Sequence, residues 1–160
     1  MGIQPVNSEG AKDAMRAGWL SVLGRAQPEA LKEAFGRAIE NGAPEHTVLR
    51  APEIGLVMTR GRVGGRGDRF NFGEVTATRC VVQLASGEVG VSYRLGRDKP
   101  AAEMAALLDA MRQSPPWEKL AHEAIEGLSA QLREQQALDA RRSGATKVQF
   151  FTMTRAREQK

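Results

Sequence analysis

The chain has 160 residues, 41% hydrophobic and 26% charged, enough apolar surface for one core and too much for a disordered polymer. Its formal net charge is only +4, and no apolar stretch approaches the roughly 20 residues that cross a bilayer. One cysteine and two histidines exclude an internal disulfide, an all-cysteine iron–sulfur site and a four-ligand zinc site of Cys and His, so any redox centre belongs to another chain.

Residues Met1-Gly-Ile-Gln-Pro-Val-Asn-Ser-Glu-Gly10 show no basic and apolar leader pattern. Val6 stands where a myristoylation signal has Ser or Thr, so the expected location is the cytoplasm. Met15, Trp19, Val22, Leu23 and Ala26 then recur at helical spacing behind Ser8 or Asp13 as start signals. Pro28 suits a first helical turn, Leu31, Phe35, Ala38 and Ile39 form the next stripe, and Asn41-Gly42 supplies a left-handed end. The two helices form a hairpin. From His46 the period changes to two: Thr47 to Ala51 and Ile54 to Arg62 predict strands, with Pro52 at an edge or bend. A glycine-rich connection, Arg62-Val-Gly-Gly-Arg-Gly-Asp-Arg69, leads to a hairpin of Val75 to Leu84 and Glu88 to Leu95 around Ala85-Ser-Gly87. On the last strand Val89, Val91, Tyr93 and Leu95 share a face, the pattern of a half-buried antiparallel strand. Cys80, at period two with Val82 and Leu84, reads as a packed core thiol.

After Gly96-Arg-Asp-Lys-Pro100, the stripe Met104, Leu107, Leu108 and Met111 marks a helix that Asp98 caps, Pro100 begins and Ser114-Pro-Pro116 ends. In the longest element Trp117, Leu120, Ala121, Ala124, Ile125, Leu128, Leu132 and Leu138 repeat over several turns, and a helix this long projects beyond a small core. Ser143-Gly144 is expected to break it, Val148-Gln-Phe-Phe-Thr-Met153 to form a short final strand, and Thr154 to Lys160 a charged tail. The expected fold is α+β: an N-terminal helical hairpin, an antiparallel sheet of about four strands, two C-terminal helices and a short final strand. It forms a single domain over 1–160, with 1–12 and 154–160 flexible.

The charge is unevenly placed. Residues 50–99 hold nine basic residues (Arg50, Arg60, Arg62, Arg66, Arg69, Arg79, Arg94, Arg97, Lys99) against five acidic ones (Glu53, Asp68, Glu74, Glu88, Asp98), while the remainder balances at 14 against 14. Eight of those nine are arginine, whose planar fork matches phosphate and carboxylate oxygens in pairs. An anionic partner is one reading; pairing with local acids and other subunits is the other.

Within Met58 to Glu74, Gly61, Gly64, Gly65 and Gly67 let backbone N–H groups approach one anion, and Arg60, Arg62, Arg66 and Arg69 supply charge. Period two sets Arg60 and Arg62 on one strand face about 7 Å apart, a spacing that straddles adjacent phosphate groups. The stretch has neither the terminal Lys-Ser/Thr of a Walker loop nor the strand-to-helix junction of a dinucleotide fingerprint. The same glycines also serve a wide hairpin turn, the reading favoured on the residues alone. Arg97 and Lys99 sit at a helix start, where free N–H groups favour an anion. Glu53 and Glu74 read as carboxylates that balance arginines, and His46 and His122 as surface or packing residues. Arg69-Phe-Asn-Phe72 loosely resembles a stacking strand of an RNA-binding sheet, but Asn71 and Glu74 break the alternation, and nucleic acid ranks below a small anion or a protein partner.

A longer series carries a family resemblance: Arg50-Ala-Pro-Glu53, Gly55-Leu-Val-Met58, Arg60, Arg62, Gly64-Gly65, Gly67, Phe70, Gly73-Glu74, Thr78-Arg79, Gly87, Gly90 and Gly96-Arg-Asp-Lys99. Ala102-Glu103, Phe150-Phe-Thr-Met153 and Arg155 continue it. In kind, order and spacing these residues resemble the PhnG subunit family of the bacterial carbon–phosphorus lyase core complex, over nearly the whole chain from about Trp19. The resemblance implies sister subunits PhnI (closest), PhnH and PhnJ in a two-fold G, H, I, J assembly, with the ATP-binding-cassette-like PhnL. It implies transfer of an alkylphosphonate to C1 of the ribose of ATP with release of adenine. ATP and the alkylphosphonate are substrates of the complex; no cofactor or metal is expected in this chain, and an iron–sulfur cluster only in PhnJ. The family supplies no catalytic residue to carry over. Arg60, Arg62, Arg66, Arg69, Arg97 and Lys99 are the expected contacts, to phosphate or phosphonate oxygens or to PhnI, at a subunit boundary; a purely architectural subunit is the alternative. Two charge-assisted hydrogen bonds contribute about 3–6 kcal/mol before ordering costs, so the isolated chain is expected to capture substrate weakly.

Overall fold

The structure, a computed structural model, describes residues 8–62 and 67–145. In chain order its elements are α1 (Ser8–Arg25), α2 (Pro28–Ala38), β1 (His46–Arg62), β2 (Arg69–Leu84), β3 (Val89–Leu95), α3 (Lys99–Gln113) and α4 (Glu118–Ala145). Local chemistry sets most of the boundaries. Pro28 opens α2, the Asp98 carboxylate accepts the Ala101 N–H at 2.9 Å to cap α3, and Ser114 ends α3 ahead of two prolines. Gly42 and Gly87, with φ of +118° and +105°, turn the chain between α2 and β1 and between β2 and β3.

α3 is the centre of the packing. One side of it, Ala102, Ala106, Leu107 and Ala110, meets Cys80, Val82 and Leu84 of the sheet. The other side, Ala101, Ala105, Leu108 and Met111, meets Leu23, Leu31, Ala34, Ala121, Ile125 and Leu128 of the remaining helices. The result is sheet, then α3, then α1, α2 and α4. Small residues let the central layer close: a Cβ on Gly90 would stand 2.0 Å from the Ala106 carbonyl oxygen and 2.7 Å from the Ala110 nitrogen.

This close approach makes the small and polar face of β3 the inner one, while Val89, Val91, Tyr93 and Leu95 share the outer face. Gly90, Ser92 and Arg94 are buried, whereas Tyr93 and Leu95 are 62% and 65% exposed. Ser92 Oγ donates to the Ala102 carbonyl at 2.6 Å. Arg94 donates to the carbonyls of Leu23 and Ala26, where the end of α1 leaves unpaired oxygens and negative helix potential. Burial lowers the Arg94 pKa and nearby Asp98 opposes the shift; the guanidinium stays charged. The free edge of β3 is closed by side chains. Asp109, fully buried on α3, accepts the Val91 N–H at 2.8 Å, Trp19 Nε1 at 2.8 Å and Arg16 Nη2 at 2.8 Å. Arg16 and Gln113 in turn donate to the Val89 carbonyl.

The α+β class and the helical hairpin match expectation, but the described sheet has three strands, ordered β1-β2-β3, rather than about four. The two strands predicted on either side of Pro52 are one. β1 passes the proline through register shifts at Val48/Arg50 and Arg50/Glu53, and as an edge strand it tolerates the missing N–H. Ser143-Gly144 does not break α4, which continues to Ala145; the predicted final strand and tail lie outside the described residues. As expected, the far part of α4, from Arg133 to Gly144, is exposed.

Length dictates what remains uncovered. The 15 residues of α3 span about 22 Å and the 17 of β1 about 56 Å, so β1 and β2 leave the body as a two-stranded ribbon beyond Thr76.

Gly90→Ala is expected to destabilise the fold by about 3 kcal/mol, because its Cβ meets backbone that cannot move aside. Gly55→Ala, with no atom within 4 Å, serves as the control. Urea unfolding midpoints of the two variants test this.

Candidate functional site

The ribbon holds three of the six predicted contacts, Arg60, Arg62 and Arg69. Its ladder pairs Arg62 with Arg69, Gly61 with Phe70 and Arg60 with Asn71, and a register shift after Thr59 leaves Phe72 as an extra residue on β2. Alternation therefore sets Arg60, Arg62 and Arg69 on the face that continues the helix-covered side of the sheet. Phe70 occupies the other face, its ring 3.6 Å from where a Gly61 side chain would begin, with Phe72 edge-on at 6.4 Å between ring centroids. A side chain at Gly61 would occupy the space that Phe70 crosses.

The cationic face is unbalanced. Arg62 and Arg69 stand directly across the ladder, a like-charge arrangement that costs energy unless an anion sits between or beside them. Arg62 Nη1 donates to the Gly67 carbonyl at 3.2 Å, and Arg60 Nε lies 3.4 Å from Asn71 Oδ1. Among the described residues none of Arg60, Arg62, Arg69, Arg97 and Lys99 forms an ion pair, although Asp68 and Glu74 are neighbours in sequence. Arg50 and Arg79 do: both bind Glu53, Arg50 at 2.9 Å. Pairing with local acids thus accounts for the arginines of the three-stranded part of the sheet and not for those near the ribbon's end.

The six predicted contacts do not form one cradle. Arg66 lies outside the described residues. Arg97 and Lys99 are exposed at the start of α3, next to Gly96, whose N–H donates to the Thr76 carbonyl at 2.8 Å. Thr76 faces Leu56, four residues before Arg60, which separates the two groups by about 13 Å along the ribbon. Arg97 and Lys99 mark the ribbon's base, and Arg60, Arg62 and Arg69 its far part.

The remaining titratable candidates fit structural roles. Cys80 is fully buried with Sγ 3.4 Å from the Arg50 carbonyl, and burial pushes its thiol pKa up. His46 Nδ1 lies 3.1 Å from the Pro44 carbonyl, His122 is exposed on α4, and Glu74 faces Met58 across the ladder. Arg79 above all holds the Glu53 carboxyl below its ordinary range; burial opposes it, and Arg50 adds a lesser lowering. Glu53 and Tyr93 raise the Arg79 pKa.

One feature escaped the sequence reading: a depression of about 300 Å³ on the outer sheet face, lined by Glu53, Gly55, Val57, Ala77, Arg79 and Tyr93. The signal was the alternation of Val89, Val91, Tyr93 and Leu95, whose side chains point to this open face.

Residues 14–156 match the family described as phosphonate metabolism protein PhnG. Over 151 residues the chain is 40% identical to the alpha-D-ribose 1-methylphosphonate 5-triphosphate synthase subunit PhnG of Rhizobium meliloti (strain 1021), covering 94% of this chain and 96% of that protein.

The Glu53 pair carries a pH dependence of known sign. A carboxyl with a depressed folded pKa contributes stability above its unfolded pKa and loses it as pH falls through the folded value. Glu53→Gln is therefore expected to lower the melting temperature slightly at neutral pH, the gap to the parent closing in acid below the ordinary carboxylate range. Thermal melts of both proteins across that range test it.

Proposed function

Because the chain belongs to the PhnG family, we propose that it serves as a non-autonomous subunit of ribose 1-methylphosphonate 5-triphosphate synthase, its ribbon reaching a boundary between subunits. In this reading the complex breaks the bond from ribose C1 of ATP to the adenine nitrogen and forms one from C1 to a phosphonate oxygen. Adenine leaves, and the product is ribose 1-(alkylphosphonate) 5-triphosphate. The partners are PhnI, PhnH and PhnJ with PhnL. The iron–sulfur cluster of the later cleavage step resides in PhnJ. Among the described residues no helix is long and apolar enough to cross a membrane; a cytoplasmic site of action is part of the proposal.

The reaction brings a triphosphate and a phosphonate together, two anions that repel. Arg60, Arg62 and Arg69 suit that problem: they share one ladder face, two of them directly opposed, with no ion pair among the described residues. That unbalanced face is the observation that carries the proposal. Guanidinium groups do not give up protons near neutral pH, so they orient phosphate or phosphonate oxygens and offset charge rather than act as acids or bases. Arg97 and Lys99 extend the same field at the ribbon's base, and Arg66 belongs to the same proposed set.

In an assembly reconstituted with PhnH, PhnI and PhnL, Arg60→Ala with Arg62→Ala is expected to slow adenine release from ATP plus methylphosphonate about 10- to 100-fold, with the mass of the complex unchanged. Loss of the complex instead assigns these arginines to docking on PhnI, the architectural reading. An unchanged rate in an intact complex overturns both roles. A parent chain that fails to associate with any sister subunit overturns the subunit assignment itself.

A further inference from the structure

Among the described residues, helices cover one face of the sheet only. The opposite face carries Val81 beside Val91, Arg79 beside Tyr93, and Ala77 beside Leu95. It continues through Val57 and Val75 toward Phe70. Its apolar side chains stand in solvent: Val57 is 44% exposed, Tyr93 62%, Leu95 65% and Phe72 77%. Monomeric proteins rarely leave so extended an apolar strip open without a partner for it.

The size of the strip suits a specific interface. The 16 residues of β2 run about 53 Å, and two to three strands give a width of roughly 10–14 Å. The footprint is about 600 Å², close to the roughly 800 Å² that each partner contributes to a standard interface. Charge selects the occupant. Arg50 and Arg79 against Glu53 leave one net positive charge near the middle of the face. Two-fold pairing of this face with a second copy brings like clusters together, whereas a different protein can set a carboxylate against them.

We infer that this outer sheet face, from Leu95 and Tyr93 across to Phe72, is where the chain docks onto a sister subunit, whose matching surface is apolar and carries a carboxylate that meets Arg79. The inference rests on the subunit reading above and adds a division of labour to it. The outer face binds protein, and the arginine face, on the other side of the same ribbon, stays open to phosphate-bearing substrate.

The test is a triple variant, Phe72→Ser, Tyr93→Ser and Leu95→Ser, co-expressed with PhnI, PhnH and PhnJ. All three side chains are largely exposed, so the urea midpoint of the isolated chain is expected to stay at the parent value. Association is expected to weaken more than about 100-fold, while Arg60→Ala with Arg62→Ala leaves it intact. Arg79→Glu alone is expected to weaken it as well. A triple variant that associates like the parent overturns this inference and leaves the subunit reading standing; a parent that does not associate overturns that reading. Light scattering that finds the isolated parent dimeric and the triple variant monomeric assigns the face to a second copy. A chain ending at Ala145 that binds sister subunits more tightly assigns it to the chain's own C-terminal segment. Either result overturns the proposal.

Discussion

A helix rises 1.5 Å per residue and a strand about 3.3 Å, and α3, the helix that covers the centre of the described sheet, has nearly the same residue count as its longest strand. α3 therefore covers less than half of β1 and β2. β3, at 7 residues, supports only one end of the sheet, from Ala77 to Gln83. Everything beyond is a two-stranded ribbon without a core, and such a ribbon has little stability of its own in water. No described residue of β1 is buried, although Ile54, Leu56, Val57 and Met58 are all apolar. Strands of this composition are built to be covered. Among the described residues nothing covers them, and the docking proposed above rests on these lengths more directly than on any single motif.

What lies under α3 was legible in the sequence, and the orientation of what lies beside it was not. The stripes of α2 and α4 and the caps of α3 appear where helical spacing, Pro28, Asp98 and Ser114 place them. β3 reads the opposite way. An alternation of Val89, Val91, Tyr93 and Leu95 against Gly90, Ser92 and Arg94 points to the apolar set as the inner one. The inner set here is the small and polar one, because α3 approaches close enough to exclude a side chain at Gly90 and because Arg94 satisfies carbonyls at the end of α1. Hydrophobic periodicity reports which face is apolar. It does not report which face a neighbouring helix of the same chain occupies, and a subunit with two apolar environments defeats it.

The charged residues were legible in composition but not in grouping. Nine basic residues in one third of the chain look like a single patch, and the structure divides them by partner. Arg50 and Arg79 share Glu53, Arg94 is buried against backbone carbonyls, and Arg60, Arg62 and Arg69 face one another near the ribbon's end. Pairing across strands is a property of register, and register at the ribbon depends on one extra residue, Phe72, that no local pattern announces. The same extra residue places two aromatic rings on the face opposite the arginines.

Under the proposed function, that separation of faces suits an assembly better than a chain acting alone. A charge pair 4 Å apart gains about 1 kcal/mol in water and about 4 kcal/mol at an effective dielectric constant near 20. Arginines on a bare ribbon are in the first regime, where an anion competes poorly with water and salt. In the proposed arrangement, docking the aromatic face excludes water from one side of a ribbon only one strand layer thick and moves Arg60, Arg62 and Arg69 toward the second regime while their own face stays open to substrate. Protein association and anion capture are then coupled without any conformational switch: the contact that stabilises the ribbon also raises the strength of its charges, and an anion held between Arg62 and Arg69 removes the repulsion that weakens the ribbon in isolation.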